Sequence, residues 1–378
     1  MIYLDNSATT AVCAEAAEKS IHMMLSNFGN PSSLHTLGIR AESEQSQARE
    51  CVATLLAASP EEIVFTSGGT EANNLAILGA VAAKHRRGKH IVVSAIEHPS
   101  VSAPIAMLEK QGFEVTYVQP QPDGNILPAD VWAACRADTI LVSVMLVNNE
   151  TGAVFPMEKA IARIRKLSPL ATVHTDAVQA VGKLPVNVKK LGVDLLTVSG
   201  HKLHAPKGVG ALYCRKGVRL TPPAALGGGQ EKAIRSGTEN TPGIAALGEA
   251  VRVLPKPAEM QAHCAALRQR LFDCLEGRPE IRWHLPENGV PCIVNFSVMG
   301  LRSETMIHFL AAKYGIYVSG GSACSKGHTS PVLTAMGLPP AEIDSALRVS
   351  FGRDNTPDEV EALADALADA VAELTHRR

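Results

Sequence analysis

Residues 63–95 read IVFTSGGTEANNLAILGAVAAKHRRGKHIVVSA, and this stretch decides the fold. Its first apolar run predicts a strand, a glycine turn follows, and the next segment predicts a helix that stops at Gly88. A second apolar run then predicts another strand. Because this alternation continues to about residue 214, we expect a mostly parallel sheet with helices on both faces.

The pattern changes after about residue 255, where VLPKPAEM carries two prolines that suit a domain boundary. A smaller α+β domain is therefore predicted to follow, and the first dozen residues are expected to pack with it. The predicted division is a large domain over residues 13–255 and a small one over 1–12 and 256–378. In the large domain, strands are predicted at EEIVFTS, HIVVSA, FEVTYV, TILVSVMLV, ATVHTD, VDLLTVS and GVGALYC, and helices at 99–111 and 157–167. In the small domain, helices are predicted at 258–276, 303–313 and 356–375, and strands at 292–298, 316–318 and 347–351.

Composition limits the kinds of function. The 378 residues are 46% hydrophobic and 19% charged, and the formal net charge is −1. That balance does not favour nucleic acid or membrane partners. No export signal or membrane-length apolar run is apparent, and the eight cysteines form no C-x-x-C pair. Reduced thiols and a cytoplasmic protein are therefore expected.

TVSGHKLHAPKG (197–208) places Lys202 at the end of a predicted strand, beside Ser199, His201 and His204. A lysine there can point into the cleft where open α/β sheets bind ligands. A desolvated lysine can form a Schiff base with a carbonyl. From this segment alone, a solvated lysine at a turn is the simpler interpretation.

Other strand ends carry further polar residues. Asp176 in HTDAVQAVGK is either a helix N-cap or the carboxylate that pairs with a protonated pyridine nitrogen, and Gln179 follows three residues later. Gly69 and Thr70 open a predicted helix after a glycine turn, a site that suits phosphate but lacks the P-loop ending. RSGTEN (235–240) can add donors to a phosphate.

The remaining candidate site residues offer an aromatic ring face or a guanidinium that could bind a carboxylate. His98 follows a strand and offers a ring face, although a lone histidine is more often structural. Asn148 and Asn149 end another strand. Arg348 and Arg353 in LRVSFGRDN are candidate forks for a substrate carboxylate or members of surface ion pairs. Together these groups match pyridoxal phosphate (PLP) and an amino-acid substrate.

At this point the sequence resembles the cysteine desulfurases of the class V aminotransferase family, in the group that contains the NifS-type and housekeeping iron–sulfur assembly enzymes. The Ser-x-His-Lys and Ser-Ala-Cys elements carry the most weight. The matching text extends nearly end to end: YLDNSATT, NPSSLH, FTSGGTEANNLAI, EHPSV, VNNETG, HTDAVQAVGKLP, SGHKLHAPKGVGALY, GGGQEKAIRSGTEN, SGGSACS and LRVSFGR.

The resemblance implies a PLP-dependent homodimer of fold type I that removes sulfur from L-cysteine. It implies that Lys202 carries PLP as a Schiff base and that Cys324 accepts the sulfur as a persulfide and releases alanine. The resemblance also implies that Asp176 contacts the pyridine nitrogen, that Gln179 contacts the ring oxygen, and that His98 lies on the ring face and shuttles protons. It implies that Asn149 contacts the cofactor and the substrate and that Arg348 binds the substrate. The implied phosphate-binding residues are Gly69, Thr70, Ser199 and His201, with Thr238 reaching in from the partner subunit.

Cys324 lies in SGGSACSKGHTSP (319–331), a Gly- and Ser-rich stretch that suits a moving thiol. Lys326 and His328 are candidates to lower its pKa, because the thiolate is the nucleophile. Cys324 is also a possible ligand of a nascent iron–sulfur cluster. Family members pass sulfur to a cluster scaffold or to tRNA-thiolation proteins. The segment after Cys324 is slightly shorter than in the long-loop housekeeping enzymes, so the acceptor stays open.

Two other classes of function are considered. A selenocysteine lyase or an aminotransferase would use the same fold, and an aminotransferase would not require Cys324. A non-catalytic zinc or sulfur-trafficking protein would gather His174, His201, His204 and Cys324. Their H-x-x-H spacing does not match the helical ligand pattern, which disfavours a zinc site.

Overall fold

The computed structural model describes residues 1–221, 226–320 and 329–375. Their strands are β1 (Ile2–Tyr3), β2 (Ile63–Thr66), β3 (His90–Ser94), β4 (Glu114–Val118), β5 (Thr139–Ser143), β6 (Thr172–Asp176), β7 (Leu195–Ser199), β8 (Gly210–Cys214), β9 (Ile281–Trp283), β10 (Ile293–Val298), β11 (Ile316–Tyr317), β12 (Ser319–Gly320) and β13 (Ala346–Ser350). Their α-helices are α1 (Ala14–Leu25), α2 (Thr36–Leu56), α3 (Gly69–Lys84), α4 (Pro99–Lys110), α5 (Pro128–Ala134), α6 (Met157–Leu167), α7 (Val188–Leu191), α8 (Thr241–Arg252), α9 (Pro257–Leu275), α10 (Ser303–Phe309), α11 (Pro331–Ala335), α12 (Pro340–Asp344) and α13 (Pro357–Thr375).

A seven-stranded sheet forms the larger part of the molecule, with strand order β2–β8–β7–β6–β5–β3–β4. Strands β7, β6, β5, β3 and β4 pair in parallel, and β8 runs antiparallel to both of its neighbours. The prediction of a mostly parallel sheet is confirmed. Ligand sites in such sheets lie at the carboxyl ends of the strands.

Both faces of this sheet are buried. Along β3, Val92 belongs to one apolar core while Ile91 and Val93 belong to another. Side chains alternate between faces along a strand, so each core covers one side of the sheet. The strands are apolar along their whole length for this reason, and the predicted helical cover on two faces is present.

A second group of strands follows β8 in the chain. β12, β13, β10 and β9 form an antiparallel sheet in that order, and β1 pairs in parallel with β11. Leu4 packs in the apolar core of this group, together with helices α9 and α13. Leu4 and β1 thus pack with this group of strands, and the domain division itself stays a prediction.

Several local predictions need correction. Helix α3 ends at Lys84, so Gly88 does not stop it. A Cβ atom on Gly88 would lie 2.1 Å from the carbonyl oxygen of Asp138, and this close approach requires the glycine. The strand predicted at 292–298 begins at Ile293 in the structure, so Cys292 lies one residue before it. Helices α1, α5 and α8 and strand β9 were not predicted, and β5 is shorter than TILVSVMLV.

Among the described residues, we find no helix that is both long and apolar enough to cross a membrane.

Candidate active site

A cavity of about 310 Å³ lies at the carboxyl ends of the parallel strands. Its walls include most of the residues that the sequence predicted for the site. Thr238 does not line it, and Cys324, with Lys326 and His328, lies outside the described residues. The predicted residues that line it are Gly69, Thr70, His98, Asn149, Asp176, Gln179, Ser199, His201, Lys202 and Arg348.

Lys202 ends a single 3-10 turn, Gly200–Lys202, that directly follows β7. Its ammonium donates to the backbone carbonyls of Ser7 and Ala8, at 2.6 Å for Ala8. The neighbouring His201 has a pKa lowered to about 4 by burial and by the nearby lysine charges of Lys202 and Lys207. The imidazole beside the lysine is therefore neutral at physiological pH.

Asp176 is the last residue of β6 and is only 4% exposed. One carboxylate oxygen accepts the Val178 backbone N–H at 2.9 Å, and the other accepts the Asn73 side-chain amide at 2.7 Å. These two donors fix the carboxylate at the cavity wall. Gln179, three residues after Asp176, donates to the Ser7 carbonyl at 2.9 Å and accepts from the Lys183 ammonium.

The N-terminus of α3 opens onto the same cavity. The helix begins at Gly69, as predicted, and Gly68 before it has φ +148°, which only glycine adopts readily. A Cβ atom on Gly210 of β8 would lie 2.7 Å from the Gly68 Cα, so the residue that packs against this turn must also be a glycine. Backbone N–H groups at such an end bind phosphate, and Ser199 stands beside them.

Segment 235–240 contacts the first turn of α3 through an ion pair. Glu71 in the first turn of α3 accepts the Ser67 backbone N–H and pairs with Arg235 at 3.0 Å. The segment therefore reaches the edge of the predicted phosphate site, although Thr238 does not line the cavity of its own chain.

Arg348 comes from β13 and is the largest fully buried side chain, at 1% exposure. One guanidinium nitrogen donates to the Asn149 carbonyl at 2.8 Å, and another pairs with Asp5 at 2.9 Å. Its Nε has no hydrogen-bond partner within the described part of the chain. Because Arg348 also lines the cavity, its guanidinium suits a carboxylate ligand. Arg353 instead pairs with Asp354 and does not line this cavity.

Several polar residues that line the cavity were missed by the sequence analysis, among them Asn73, Ser100, Glu97 and Glu150. Asn73 and Ser100 contact the predicted Asp176 and His98, and helical spacing from Gly69 would have placed Asn73 on the cavity side of α3. Glu97 and Glu150 are acids within buried strand-end segments. No local pattern distinguishes them from surface acids.

Both missed acids are buried at the cavity wall. Burial raises the pKa of Glu97 to about 8, although its carboxyl accepts from the Ser94 hydroxyl at 2.5 Å and from the Met145 N–H at 2.7 Å. Burial likewise raises the pKa of Glu150 to about 7, although Ser330 donates to it at 2.5 Å. Burial disfavours the charged form of each acid.

The disfavoured zinc alternative would need Cys324, which lies outside the described residues, beside His174, His201 and His204. The His174 ring is buried and contacts the hydroxyls of Ser143 and Thr197. Within residues 1–221, 226–320 and 329–375, no group of three or more potential metal ligands is found.

Comparison with known proteins follows from this geometry. The model of the class-V aminotransferase family matches residues 2–363. The chain belongs to the class-V aminotransferase family. It is 43% identical to a cysteine desulfurase IscS of Methanosarcina thermophila, over 99% of this chain and 92% of that protein. The predicted family, and its cysteine desulfurase group, are confirmed.

Solved structures agree. A NifS-like protein superposes with a TM-score of 0.92 at 36% identity and covers 98% of this chain and 99% of its own. A protein described as SspA in complex with cysteine superposes with a TM-score of 0.82 at 35% identity, over 93% of this chain and 99% of its own. The predicted PLP fold type I is confirmed, and so are the PLP cofactor and the enzyme class, a PLP-dependent cysteine desulfurase.

The residues present fit PLP. The cavity offers an amine at Lys202, a fixed carboxylate at Asp176, a helix N-terminus at Gly69 and an imidazole at His98. Arg348 also lines the cavity, and a guanidinium suits the carboxylate of an amino acid. These are the groups that a cofactor with an aldehyde, a ring nitrogen and a phosphate requires.

Proposed function

We propose that this chain takes sulfur from L-cysteine at the described cavity and passes it to Cys324. The observation that carries the proposal is the single cavity that unites Lys202, the fixed Asp176 carboxylate and the Arg348 guanidinium. The relative whose structure holds cysteine supports the same substrate. Arg348 and Asn149 then bind the substrate.

PLP, when bound, supplies an electron sink that stabilises negative charge at the α carbon of an amino acid. Lys202 would hold the group covalently, and Asp176 would hold its ring nitrogen. The first amides of α3, with Ser199 and His201, would hold the phosphate. Gln179 would face the ring oxygen, and His98 would lie against the ring. Arg348 would orient the substrate by binding the substrate carboxylate, because its guanidinium lies at the cavity wall.

We propose that the Cys324 thiolate attacks the sulfur of the bound substrate. A sulfur–sulfur bond forms as the carbon–sulfur bond breaks, and the electron pair of the broken bond stays with the carbon. Cys324 becomes a persulfide, and protonation of the carbon fragment gives L-alanine. The low reactivity of a neutral thiol makes the thiolate necessary.

The test measures alanine and sulfide formed from L-cysteine by the PLP-loaded protein, together with the mass of the Cys324 peptide. We expect Cys324→Ser to abolish both products and the added sulfur. Cys274→Ser is the matched control, because Cys274 is a half-buried free thiol. Undiminished turnover by Cys324→Ser would exclude the sulfur-transfer mechanism and favour an aminotransferase.

We propose a homodimer, supported by the exposed apolar side chains of α1, of α2 and of the segment between them. Exposed contiguous apolar surface marks protein interfaces, and a second copy would bring Thr238 of the partner subunit toward the phosphate. We expect Leu25→Glu with Phe28→Glu to produce monomers in light scattering, whereas Glu18→Gln should remain dimeric. The exposed apolar residues are Ile21, Met24, Leu25, Phe28, Leu34 and Ile39.

The proposed acceptor is a protein of iron–sulfur cluster assembly or of tRNA thiolation, in the cytoplasm. The seven cysteines of the described residues are all free, which suits a reducing compartment. Transfer of radiolabelled sulfur from the Cys324 persulfide to a purified scaffold protein, compared with a tRNA-thiolation protein, tests which acceptor is used.

A further inference from the structure

A chain of hydrogen bonds connects Asp176 to His98. The Asn73 side-chain amide donates to an Asp176 carboxylate oxygen at 2.7 Å and to the Ser100 hydroxyl oxygen at 2.8 Å. The Ser100 hydroxyl in turn lies 2.7 Å from His98 Nδ1. The chain runs from the end of β6 through α3 to the start of α4, and Asn73 within it is fully buried.

The direction of every donor in this chain follows from Asp176. An ionised carboxylate accepts hydrogen bonds and cannot donate them. The nitrogen of the Asn73 amide therefore faces Asp176, and its second N–H points to Ser100. A hydroxyl has one proton, so Ser100 Oγ, which accepts from Asn73, is free to donate to His98 Nδ1.

A second donor reaches the same ring nitrogen. His98 is the N-cap of α4, and its Nδ1 accepts the Ser100 backbone N–H at 3.2 Å. Two donors at Nδ1 leave no place for a proton there. The positive end of a helix also disfavours a charged imidazole at its N-terminus.

We propose that Ser100 and Asn73 are positioning residues that hold His98 as the tautomer with its proton on Nε2. Nε2 has no hydrogen-bond partner among the residues that the structure describes, and His98 lines the cavity. His98 therefore presents an N–H donor to a bound substrate or cofactor, and it does not present a base at that atom. Asp176 thus fixes the state of a ring with which it shares no direct hydrogen bond.

Burial outweighs the charged groups around His98 and lowers its pKa. Burial is the main cause that lowers the His98 pKa, the Lys202 charge lowers it further, and the Asp176 charge raises it. His201, whose lowered pKa has His98 among its causes, is neutral. The ring is therefore neutral in the resting protein, and only the choice of tautomer remains for Ser100 to decide.

The role of the His98 N–H donor toward substrate rests on the proposed function. The tautomer of His98 itself can be measured without any turnover of substrate. It is measured on the PLP-loaded protein, without substrate, by nitrogen NMR of histidine labelled with ¹⁵N. The His98 signals are identified by their loss in His98→Gln. Protonated and unprotonated ring nitrogens have distinct shifts, so the two tautomers are read directly.

Ser100→Ala removes the hydroxyl and keeps the backbone N–H. We expect the wild-type His98 to carry its proton on Nε2, and Ser100→Ala to shift the tautomer ratio toward Nδ1 by about threefold to tenfold, as expected for one neutral hydrogen bond. The His98 pKa should also rise, because a donor to the neutral ring is lost. Ser100→Thr should restore both values, and Ser102→Ala, on an exposed site of the same helix, should change neither.

Activity provides a second readout. In Ser100→Ala, we expect the acidic limb of the kcat profile to move to higher pH while the KM for L-cysteine stays within a factor of about two, since substrate contacts at Arg348 are intact. A wild-type proton on Nδ1, or a Ser100→Ala protein with unchanged tautomer ratio and pKa, would overturn the inference. Absence of desulfurase activity in the wild type would instead reject the proposed function and leave the tautomer result standing.

Discussion

The two walls of the active-site cavity are built in different ways. One, here called the sheet wall, includes Lys202, Asp176 and His98, which lie at or just after the carboxyl ends of β7, β6 and β3 in the seven-stranded sheet. The other, here called the junction wall, is formed where β13 and the segment before α11 meet the large sheet. Arg348 and Glu150 line the cavity there, and Asp5 and Ser330 contact these two residues through hydrogen bonds.

The difference lies in what fixes each side chain. Sheet topology alone brings strand ends together, so the sheet wall needs only the correct strand order. The junction wall depends on contacts between residues 343 and 180 positions apart, Arg348 with Asp5 and Ser330 with Glu150. Because its charges are buried, we expect changes there to affect stability and substrate binding together, whereas changes in the sheet wall affect chemistry.

Lys202→Ala is the strongest test of the sheet wall. We expect the visible absorption band of the PLP-loaded protein to disappear and turnover of L-cysteine to fall by roughly ten-thousandfold, as for removal of other covalent catalytic groups. The unfolding midpoint of the apo protein should fall by less than in Arg348→Lys, because Lys202 lies at the cavity wall and donates to the neutral backbone carbonyls of Ser7 and Ala8. Lys207→Ala, at an exposed position in the same loop, is the control.

A normal absorption band in Lys202→Ala would contradict its assignment as the Schiff-base lysine. A large loss of apo-protein stability would contradict the contrast between the walls.

Arg348→Lys tests the junction wall. The lysine keeps the positive charge beside Asp5 but loses the planar fork and the unused Nε donor. We expect the KM for L-cysteine to rise by roughly tenfold to a hundredfold, the cost of a charge-assisted hydrogen bond. The apo protein should also unfold at lower urea, because lysine lacks the planar fork with which the guanidinium contacts both the Asn149 carbonyl and Asp5.

Arg353→Lys is the matched control, since Arg353 pairs with Asp354 outside the cavity. An unchanged KM in Arg348→Lys would remove Arg348 from the substrate site.

The same contrast explains which parts were predictable from the sequence. Lys202, Asp176 and the Gly69 turn follow apolar strands directly, and such positions converge at one sheet edge whatever the loop details. The Arg348 fork was found because arginine suits carboxylates, but its partner Asp5 was not. That pairing depends on β1 joining β11, a contact that no local pattern predicts. Glu97 and Glu150 look like surface acids in the sequence, and only tertiary packing buries them.

Glu97 sharpens the comparison because it is a buried acid within the sheet wall. Its pKa is about 8 in the folded protein against an ordinary value of 4.5, and burial is the main cause. The folded state therefore binds the proton that the unfolded state releases between these values. The stability of the wild type, measured against Glu97→Gln, should fall as pH rises through that window, by on the order of 3 kcal/mol.

The measurement is urea unfolding of the two apo proteins at about pH 5 and about pH 9. The difference in unfolding free energy should favour the wild type more at the lower pH. The neighbouring charge that also acts on Glu97 is Asp176, which raises its pKa and is present in both proteins. A difference that does not vary with pH would show that Glu97 ionises normally.

The smallest effect is expected for the Ser330–Glu150 hydrogen bond. The Ser330 hydroxyl donates to Glu150 at 2.5 Å and also accepts the Leu333 N–H as the N-cap of α11. Ser330→Ala therefore loses both contacts, and only a double-mutant cycle with Glu150→Ala separates them. We expect a coupling free energy of about 1 kcal/mol in urea unfolding.

Ser345→Ala is the control for this cycle, because its hydroxyl donates to carbonyls of α12 and has no contact with Glu150. Its effect should add to that of Glu150→Ala without coupling. Strict additivity for Ser330→Ala as well would mean that the hydrogen bond contributes nothing. The junction wall would then be held by the Arg348–Asp5 ion pair and apolar packing, and the contrast with the sheet wall would rest on Arg348 alone.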